Sequence, residues 1–226
     1  MVAGIARGGV ERRTIDELLR LLDSRTPATA AHSSRVCRYA LKLAEAFPEL
    51  DGPTLEPAFL LHDVGKLLIP PAIIEKPCAL TPAERKIVET HPVLGEELVR
   101  ASGLDEAAVL VRSHHEHWDG SGYPDRLEGP EIPLEARVFA VADAFDAMTS
   151  TRPYRGARTW DAATTELRRS AGGQFDPEAV DAFFGRRREL FELYSAYTSS
   201  NAAVAGGSGR VWAHSSADAT SASARS

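Results

Sequence analysis

The stretch TLEPAFLLHDVGKLL, residues 54 to 68, decides the fold, because a histidine and an aspartate stand inside an otherwise apolar helical segment. Apolar residues around nearly the whole circumference indicate a helix that is buried on most sides. A buried imidazole or carboxylate needs a partner, since an unsatisfied polar group in the interior costs ~1–3 kcal/mol. The segment therefore predicts a core helix that carries chemistry at His62 and Asp63.

The rest of the chain repeats this helical spacing of apolar residues, and we find no convincing series of alternating strands. One helical face of the segment 32–47 collects Val36, Tyr39, Ala40, Leu43 and Phe47. The capping-box pattern TPAE predicts a helix start at 81–84, and His91-Pro92 breaks or restarts that helix. The chain is therefore predicted to be all-α, with helices over 15–23, 32–47, 54–68, 105–118, 132–150 and 176–184.

Length and composition fit one sizeable domain: the chain has 226 residues, of which 43% are apolar and 26% charged. The net charge of −6 argues against a nucleic acid polymer as partner, because polyanions usually select a basic face. No segment approaches the ~18 apolar residues of a membrane span, and no signal peptide is evident. We therefore expect no membrane partner and a cytoplasmic location, with Cys37 and Cys78 as buried free thiols.

The histidines are unevenly distributed, because six of the seven lie between residues 32 and 117. A single histidine on an apolar helix is more often a satisfied core residue than a ligand. Five of them, together with two aspartates embedded in apolar helices, are better explained by a shared metal partner. His62 and Asp63 are adjacent and diverge by ~100° on a helix, so they can serve two ions, with Asp63 as the natural bridge. Two such ions form a clamp suited to phosphoryl chemistry.

Two neighbours of this pair allow a functional and a structural interpretation. Lys66 lies three residues after Asp63, so its ammonium can reach a bound phosphate or can simply pair with Asp63. Gly65 permits a close approach, which could be that of a substrate or of another helix.

The stretch HHEHWDGSGYP, residues 114 to 124, runs from a predicted helix end into a polar turn. A zinc-protease HExxH motif is excluded, because Asp119 stands where the second histidine is required, and His117 thereby leaves the candidate site. We expect Asp119 to cap the turn through its side chain. We expect Glu116 to orient a ligand histidine.

Taken in order, several motifs make the chain resemble the HD-GYP family, a bacterial signalling subgroup of the HD-domain metal-dependent phosphohydrolases. They are HSSRV (32–36), HDVGK (62–66), THP (90–92), HHEHWDGSGYP (114–124), DAFDAMTSTRPYR (143–155) and GGQFDP (172–177). The resemblance implies a compact helical bundle of the HD-domain type. It divides the chain into an N-terminal extension (1–13), an HD-GYP domain (14–196) and a Ser/Ala/Gly-rich tail expected to be disordered (197–226).

The resemblance also implies a binuclear metal site. One ion would be held by His32, His62, Asp63 and Asp143, and the other by Asp63, His91, His114 and His115. Family members with a third ion carry a glutamate where this chain has Ala28, so we expect two divalent ions, iron or manganese. Asp63 and Lys66 are the expected catalytic residues. The expected substrate contacts are Lys66, Gly122, Tyr123, Pro124, Arg152 and Arg155.

The function implied by the resemblance is hydrolysis of cyclic di-GMP to pGpG, GMP or both. Two alternatives stay open: an HD phosphohydrolase for another nucleotide, and a non-catalytic adaptor that binds cyclic di-GMP or a diguanylate cyclase. The resemblance further suggests a homodimer and a diguanylate cyclase (GGDEF) partner at the GYP loop, the segment DGSGYP at residues 119–124. Without the resemblance, Arg152 and Arg155 could equally be a solvated helix end.

Overall fold

The computed structural model describes residues 2–25, 27–151 and 156–207. No strand occurs in these ranges, which confirms the all-α prediction. The α-helices are α1 (Val2–Arg25), α2 (Pro27–Ala44), α3 (Leu55–Leu61), α4 (Pro71–Ile74), α5 (Pro82–Val88), α6 (His91–Ala101), α7 (Asp105–Ser113), α8 (Leu134–Thr149), α9 (Trp160–Arg169), α10 (Pro177–Gly185) and α11 (Arg187–Gly207). Two 3₁₀ helices cover Val64–Leu68 and Gly129–Glu131.

The chain divides into two compact units, Met1–Leu190 and Phe191–Ser226. In the first unit, α2 packs against α3 and α8, and α6 packs against α7. The apolar face predicted for the segment 32–47 is buried from Val36 to Phe47, as expected. Phe145 of α8 meets the ring of Tyr39 edge-on at 5.2 Å. Each such fully buried side chain contributes ~1.5–3 kcal/mol of hydrophobic stabilisation.

The helices predicted over 54–68 and 105–118 end seven and five residues early, and both ends carry candidate ligands. Helix α3 stops at Leu61, so His62 and Asp63 form a junction before the 3₁₀ helix Val64–Leu68 rather than the middle of one helix. Helix α7 stops at Ser113, and the predicted extension to residue 118 is wrong. The backbone here switches to i→i+3 bonds, from Lys66 N to Asp63 O and from Glu116 N to Ser113 O, both 3.0 Å long. This tighter geometry lets adjacent side chains point into one centre.

The remaining predicted boundaries fare differently. The capping box at Thr81 and Glu84 is confirmed, as is the Asp176 cap of α10, and the helix restarts at His91. Helix α9 escaped prediction, because polar residues dominate its composition. Cys37 is buried but Cys78 is exposed, so the expectation for Cys78 is wrong.

The tail that was expected to be disordered from residue 197 begins inside a helix, because α11 runs from Arg187 to Gly207. Residues 208–226 lie outside the described residues, so the predicted division into extension, domain and tail stays a prediction. No helix in the described part of the chain combines the length and apolar character that a membrane span requires.

Gly65 lies in close contact with a second backbone segment. This contact favours packing against another helix over approach of a substrate as the reason for the glycine. A Cβ at this position would lie 1.9 Å from the carbonyl oxygen of His91 and 2.6 Å from the amide nitrogen of Gly95. Both obstacles are backbone atoms, so no side-chain rotation can relieve the clash. The contact holds the start of α6, and with it His91, against the Asp63 junction.

We expect Gly65→Ala to lower the free energy of unfolding by ~3 kcal/mol or more, since overpacking against rigid atoms is costly. Urea unfolding followed by circular dichroism measures the effect. Gly185→Ala is the matched control, because a Cβ on this helical glycine meets nothing within 4 Å. It should be neutral or stabilise the chain by up to ~1 kcal/mol. Equal stability of the two variants would contradict the contact.

Candidate metal centre

All seven predicted ligand residues come together inside the first unit. Helix α2 supplies His32 and helix α8 supplies Asp143. The others lie at helix ends: His62 and Asp63 after α3, His91 at the start of α6, and His114 and His115 after α7. His62, Asp63, His91 and His114 are buried. The structure thus groups the predicted set, while the role of each residue as a ligand stays a prediction.

The candidate donor atoms form two groups that share one carboxylate. Asp63, His91, His114 and His115 make one group, and His32, His62 and Asp63 make the other; within each group the donors lie within 4.8 Å of one another. The two oxygens of Asp63 face different groups: Oδ1 lies 3.3 Å from His91 Nε2, and Oδ2 lies 3.3 Å from His62 Nε2. Asp143 joins the second group, with Oδ1 2.9 Å from His32 Nε2. The carboxylate of Asp63 is therefore shared between the two donor groups.

The hydrogen bonds of three histidines leave their Nε2 atoms free for a cation. Nδ1 of His62, His91 and His114 bonds the carbonyl oxygen three residues earlier, at 2.9, 2.7 and 2.8 Å respectively. A carbonyl only accepts, so each Nδ1 carries a proton, and in the neutral ring each Nε2 presents a lone pair. Nε2 of His91 and Nε2 of His114 lie only 3.2 Å apart. Two lone pairs at this distance repel each other, which a cation bound by both would relieve.

The electrostatics of the group around His114 favour neutral imidazoles. Burial, followed by the influence of His115, holds the pKa of His114 well below its usual range. Burial and His91 lower the pKa of His115 to about 3. Both rings are therefore uncharged near neutral pH, the form in which imidazole binds metals.

The acidic residues stay ionised although they are buried. Burial alone would raise the pKa of Asp63, but the nearby Lys66 ammonium outweighs it and holds this pKa well below its usual range. In the same way, hydrogen bonding and charge from His32 outweigh burial and depress the pKa of Asp143. Burial opposes protonation of His32, yet its hydrogen bonds to Asp143 and Asp146 raise its pKa to about 9. A positive charge is thus favoured between His32 and Asp143, where a metal ion is expected.

Lys66 lies at the rim of the centre and is only partly buried. Its Nζ donates to Asp63 Oδ2 over 2.6 Å, so the pairing considered from the sequence is present. The ammonium therefore stands at the edge of the centre, beside the carboxylate that bridges the two donor groups.

Asp146 is a buried site residue that the sequence interpretation left without a role. Its Oδ2 lies 2.7 Å from His32 Nδ1, and its carboxylate receives bonds from Arg35 Nε at 2.7 Å and Arg35 Nη2 at 3.0 Å. The available signal was a double i,i+3 spacing: Arg35 follows His32 by three residues, and Asp146 follows Asp143 by three.

The GYP loop folds back onto the centre through backbone and ring contacts. The Tyr123 ring lies over the His115 ring, with centroids 4.8 Å apart, and the Tyr123 amide donates to His115 O over 3.2 Å. The Tyr123-Pro124 peptide is cis. Gly122 is buried, and a Cβ there would lie 2.3 Å from His117 N, so packing explains this glycine better than substrate contact. Tyr123 and Pro124 remain partly accessible beside the centre.

Glu116 anchors the end of this loop instead of orienting a ligand histidine as expected. Its buried carboxylate accepts the amides of Asp125 (2.7 Å), Arg126 (3.1 Å) and Leu127 (3.1 Å). The expectation for Asp119 is confirmed, because its Oδ1 accepts the amide and the hydroxyl of Ser121 at 3.0 and 2.6 Å. His117 bonds the same hydroxyl at 3.0 Å, outside the centre.

We expect Glu116→Gln to loosen the loop, because the amide offers one acceptor oxygen and turns its NH₂ toward backbone donors. The free energy of unfolding should fall by ~1–3 kcal/mol. Amide hydrogen exchange at residues 125–127 should become faster. Glu131→Gln is the control: Glu131 is exposed and accepts a single amide, that of Glu128 at 3.1 Å, so a change within ~0.5 kcal/mol is expected. Unchanged exchange at 125–127 in Glu116→Gln would contradict the anchoring role.

Arg152 and Arg155, predicted to contact substrate, lie outside the described residues. Their role therefore stays a prediction.

The fold and the centre together define a helical domain built around paired histidines and aspartates. A family profile described as "HD domain" matches residues 17–179. The chain belongs to the HD domain family, and its HHEHWDGSGYP loop and its curated relatives place it in the HD-GYP subgroup.

Curated relatives extend this result. The chain is 40% identical over 197 residues to the cyclic di-GMP phosphodiesterase response regulator RpfG of Xanthomonas campestris, a match covering 85% of this chain and 52% of that protein. It is 37% identical to a cyclic di-GMP phosphodiesterase of Thermotoga maritima, over 79% of this chain and 50% of the relative. It is 35% identical to the 3'3'-cGAMP-specific phosphodiesterase 2 of Vibrio cholerae, in a match covering 75% of this chain and 34% of that protein. The chain thus spans about half the length of the first two relatives.

Solved structures share the fold. The HD domain of the Listeria monocytogenes phosphodiesterase PgpH has a TM-score of 0.55 and 16% identity, covering 81% of this chain and 98% of that one. A cyclic GMP-AMP specific phosphodiesterase of V. cholerae gives a TM-score of 0.55 and 20% identity, covering 77% of this chain and 47% of that one. These matches confirm a helical bundle of the HD-domain type.

Proposed function

We propose that the chain is a metal-dependent phosphodiesterase that hydrolyses cyclic di-GMP to pGpG, GMP or both. The observation that carries the proposal is the convergence of five histidines and two aspartates, with Asp63 shared between two donor groups. Relatives named as cyclic di-GMP phosphodiesterases support the substrate.

The proposal includes two divalent ions, iron or manganese. The donor set fits such ions, because neutral imidazoles and carboxylates are suitable ligands for both metals. His32, His62, Asp63 and Asp143 would hold one ion, and Asp63, His91, His114 and His115 the other. When bound, the ions would supply Lewis-acid stabilisation of phosphate charge and activation of water.

The side chains around the centre have separate tasks in this proposal. Lys66 would place its ammonium against a phosphate oxygen and neutralise charge that develops during cleavage. Tyr123 and Pro124 would border the substrate from the loop above His115. Arg152 and Arg155 would contact substrate phosphates, for which guanidinium groups are well suited.

A second candidate substrate is 3'3'-cGAMP, because several relatives are named as phosphodiesterases specific for it. A non-catalytic adaptor is the alternative from another class, although no predicted ligand position has lost its donor. The proposal further includes a cytoplasmic location, a homodimer and a diguanylate cyclase partner at the GYP loop.

The proposal is tested by purifying the full chain anaerobically, measuring its metal content and following nucleotide turnover by chromatography. We expect two equivalents of metal and conversion of cyclic di-GMP. Parallel reactions with 3'3'-cGAMP decide between the two substrates. Tight binding of cyclic di-GMP without hydrolysis under either iron or manganese would instead establish the adaptor.

A further inference from the structure

His32 differs from the other histidines of the centre in what holds its Nδ1 atom. His62, His91 and His114 each bond a carbonyl oxygen three residues earlier, within their own segment. His32 instead bonds the carboxylate of Asp146, 114 residues away on α8, over 2.7 Å. Its ring orientation therefore depends on a second helix.

Helix α8 supplies a carboxylate to each of the two nitrogens of the His32 ring. Asp143 Oδ1 lies 2.9 Å from Nε2, and Asp146, one turn later, lies against Nδ1. The spacing of three residues places both carboxylates on the same side of α8. Because a carboxylate only accepts, Asp146 holds a proton on Nδ1 and turns Nε2 toward Asp143.

Asp146 is itself firmly held, which makes it an effective support. Arg35 binds it with two nitrogens, at 2.7 and 3.0 Å, and the Ser150 hydroxyl donates to Oδ2 over 3.2 Å. Asp146 is only 1% exposed, so water does not compete for these bonds. A paired carboxylate bonded to the far nitrogen also makes an imidazole a stronger metal ligand than a carbonyl does.

We propose that Asp146, held in place by Arg35, is a positioning residue for the ion bound by His32 and Asp143. Binding of this ion consequently depends on Asp146, whereas binding of the other ion does not. The inference rests on the proposed binuclear site. At the other ion, His91 and His114 depend instead on the backbone of their own segments.

The test loads metal-free full chain with Mn²⁺ and measures retained metal, manganese affinity and the electron paramagnetic resonance spectrum. Wild type should hold two equivalents, with the spectrum of a coupled pair. Asp146→Asn should keep one equivalent and bind the second ~10–100-fold more weakly, with the signal of a single Mn²⁺. Arg35→Gln keeps the carboxylate but frees its orientation, so it should weaken the same ion by a smaller factor.

Asp176→Asn is the matched control, because Asp176 is also a buried aspartate paired with an arginine, Arg137 at 2.8 Å. It should keep both ions. If wild type holds two ions and Asp146→Asn and Arg35→Gln bind them unchanged, the inference alone is wrong. Loss of both ions from Asp146→Asn and Asp176→Asn alike would also overturn it, since the effect would be structural. Wild type that binds no Mn²⁺ would overturn the proposed function as well.

Discussion

Replacing Asp63 with alanine should abolish retention of both ions and lower turnover of cyclic di-GMP by ~10³-fold or more. Asp63 is the only carboxylate common to the two donor groups formed by the described residues, so its loss affects both. Loss of metal removes several kcal/mol of transition-state stabilisation, and each ~1.4 kcal/mol corresponds to a factor of ten in rate. Metal analysis and chromatography of the nucleotides measure the two effects.

The Asp63→Ala result must be separated from simple unfolding. Asp63→Asn keeps the side-chain volume and removes the charge, so it should lose metal and activity while helix content stays at the wild-type level. Removing a buried carboxylate also leaves Lys66 without its partner. Either variant with full metal content and full activity would rule out the bridging role of Asp63.

Replacing Lys66 with methionine should lower turnover by ~10²–10³-fold, the effect of removing one preorganised charge from a reacting centre. Methionine keeps most of the aliphatic length, so packing around the 3₁₀ helix should change little. Both ions should remain, because Lys66 contributes no lone pair. Steady-state turnover of cyclic di-GMP, with metal content measured on the same samples, tests this expectation.

Lys42→Met is the matched control, since Lys42 forms the same i,i+3 pair with Glu45 on the surface, also at 2.6 Å. It should leave turnover unchanged and alter stability by less than ~1 kcal/mol. Loss of metal from Lys66→Met would show that Lys66 supports Asp63 rather than the substrate. Unchanged turnover in Lys66→Met would refute any part in the reaction.

The sequence indicated which residues gather at the centre better than it indicated where the helices around them end. Histidine and aspartate inside apolar segments can be recognised in a single sequence. They indicate a site, because burying such a group without a partner is costly. The helix ends at Leu61 and Ser113 were missed for different reasons: apolar residues continue past Leu61, whereas no glycine or proline follows Ser113 until Gly120. Periodicity records which residues are buried, but it does not distinguish an α-helix from the 3₁₀ turn that follows it.

The supporting contacts were hardest to predict because they join distant segments. Arg35 and Asp146 are 111 residues apart, and only the packing of α2 on α8 brings them together. Glu116 was misassigned for a related reason. A carboxylate beside two histidines suggests a hydrogen bond to one of them, whereas its actual partners are three amides nine to eleven residues later.

The donors of the centre are scattered from residue 32 to residue 143, so only a folded chain can assemble it. With the proposed ions bound, metal and fold are thermodynamically linked. A ligand at 100 times its dissociation constant stabilises the native state by ~2.7 kcal/mol. Scarcity of metal would then enlarge the unfolded population that proteases degrade, so the supply of metal would set the cellular amount of this protein as well as its activity.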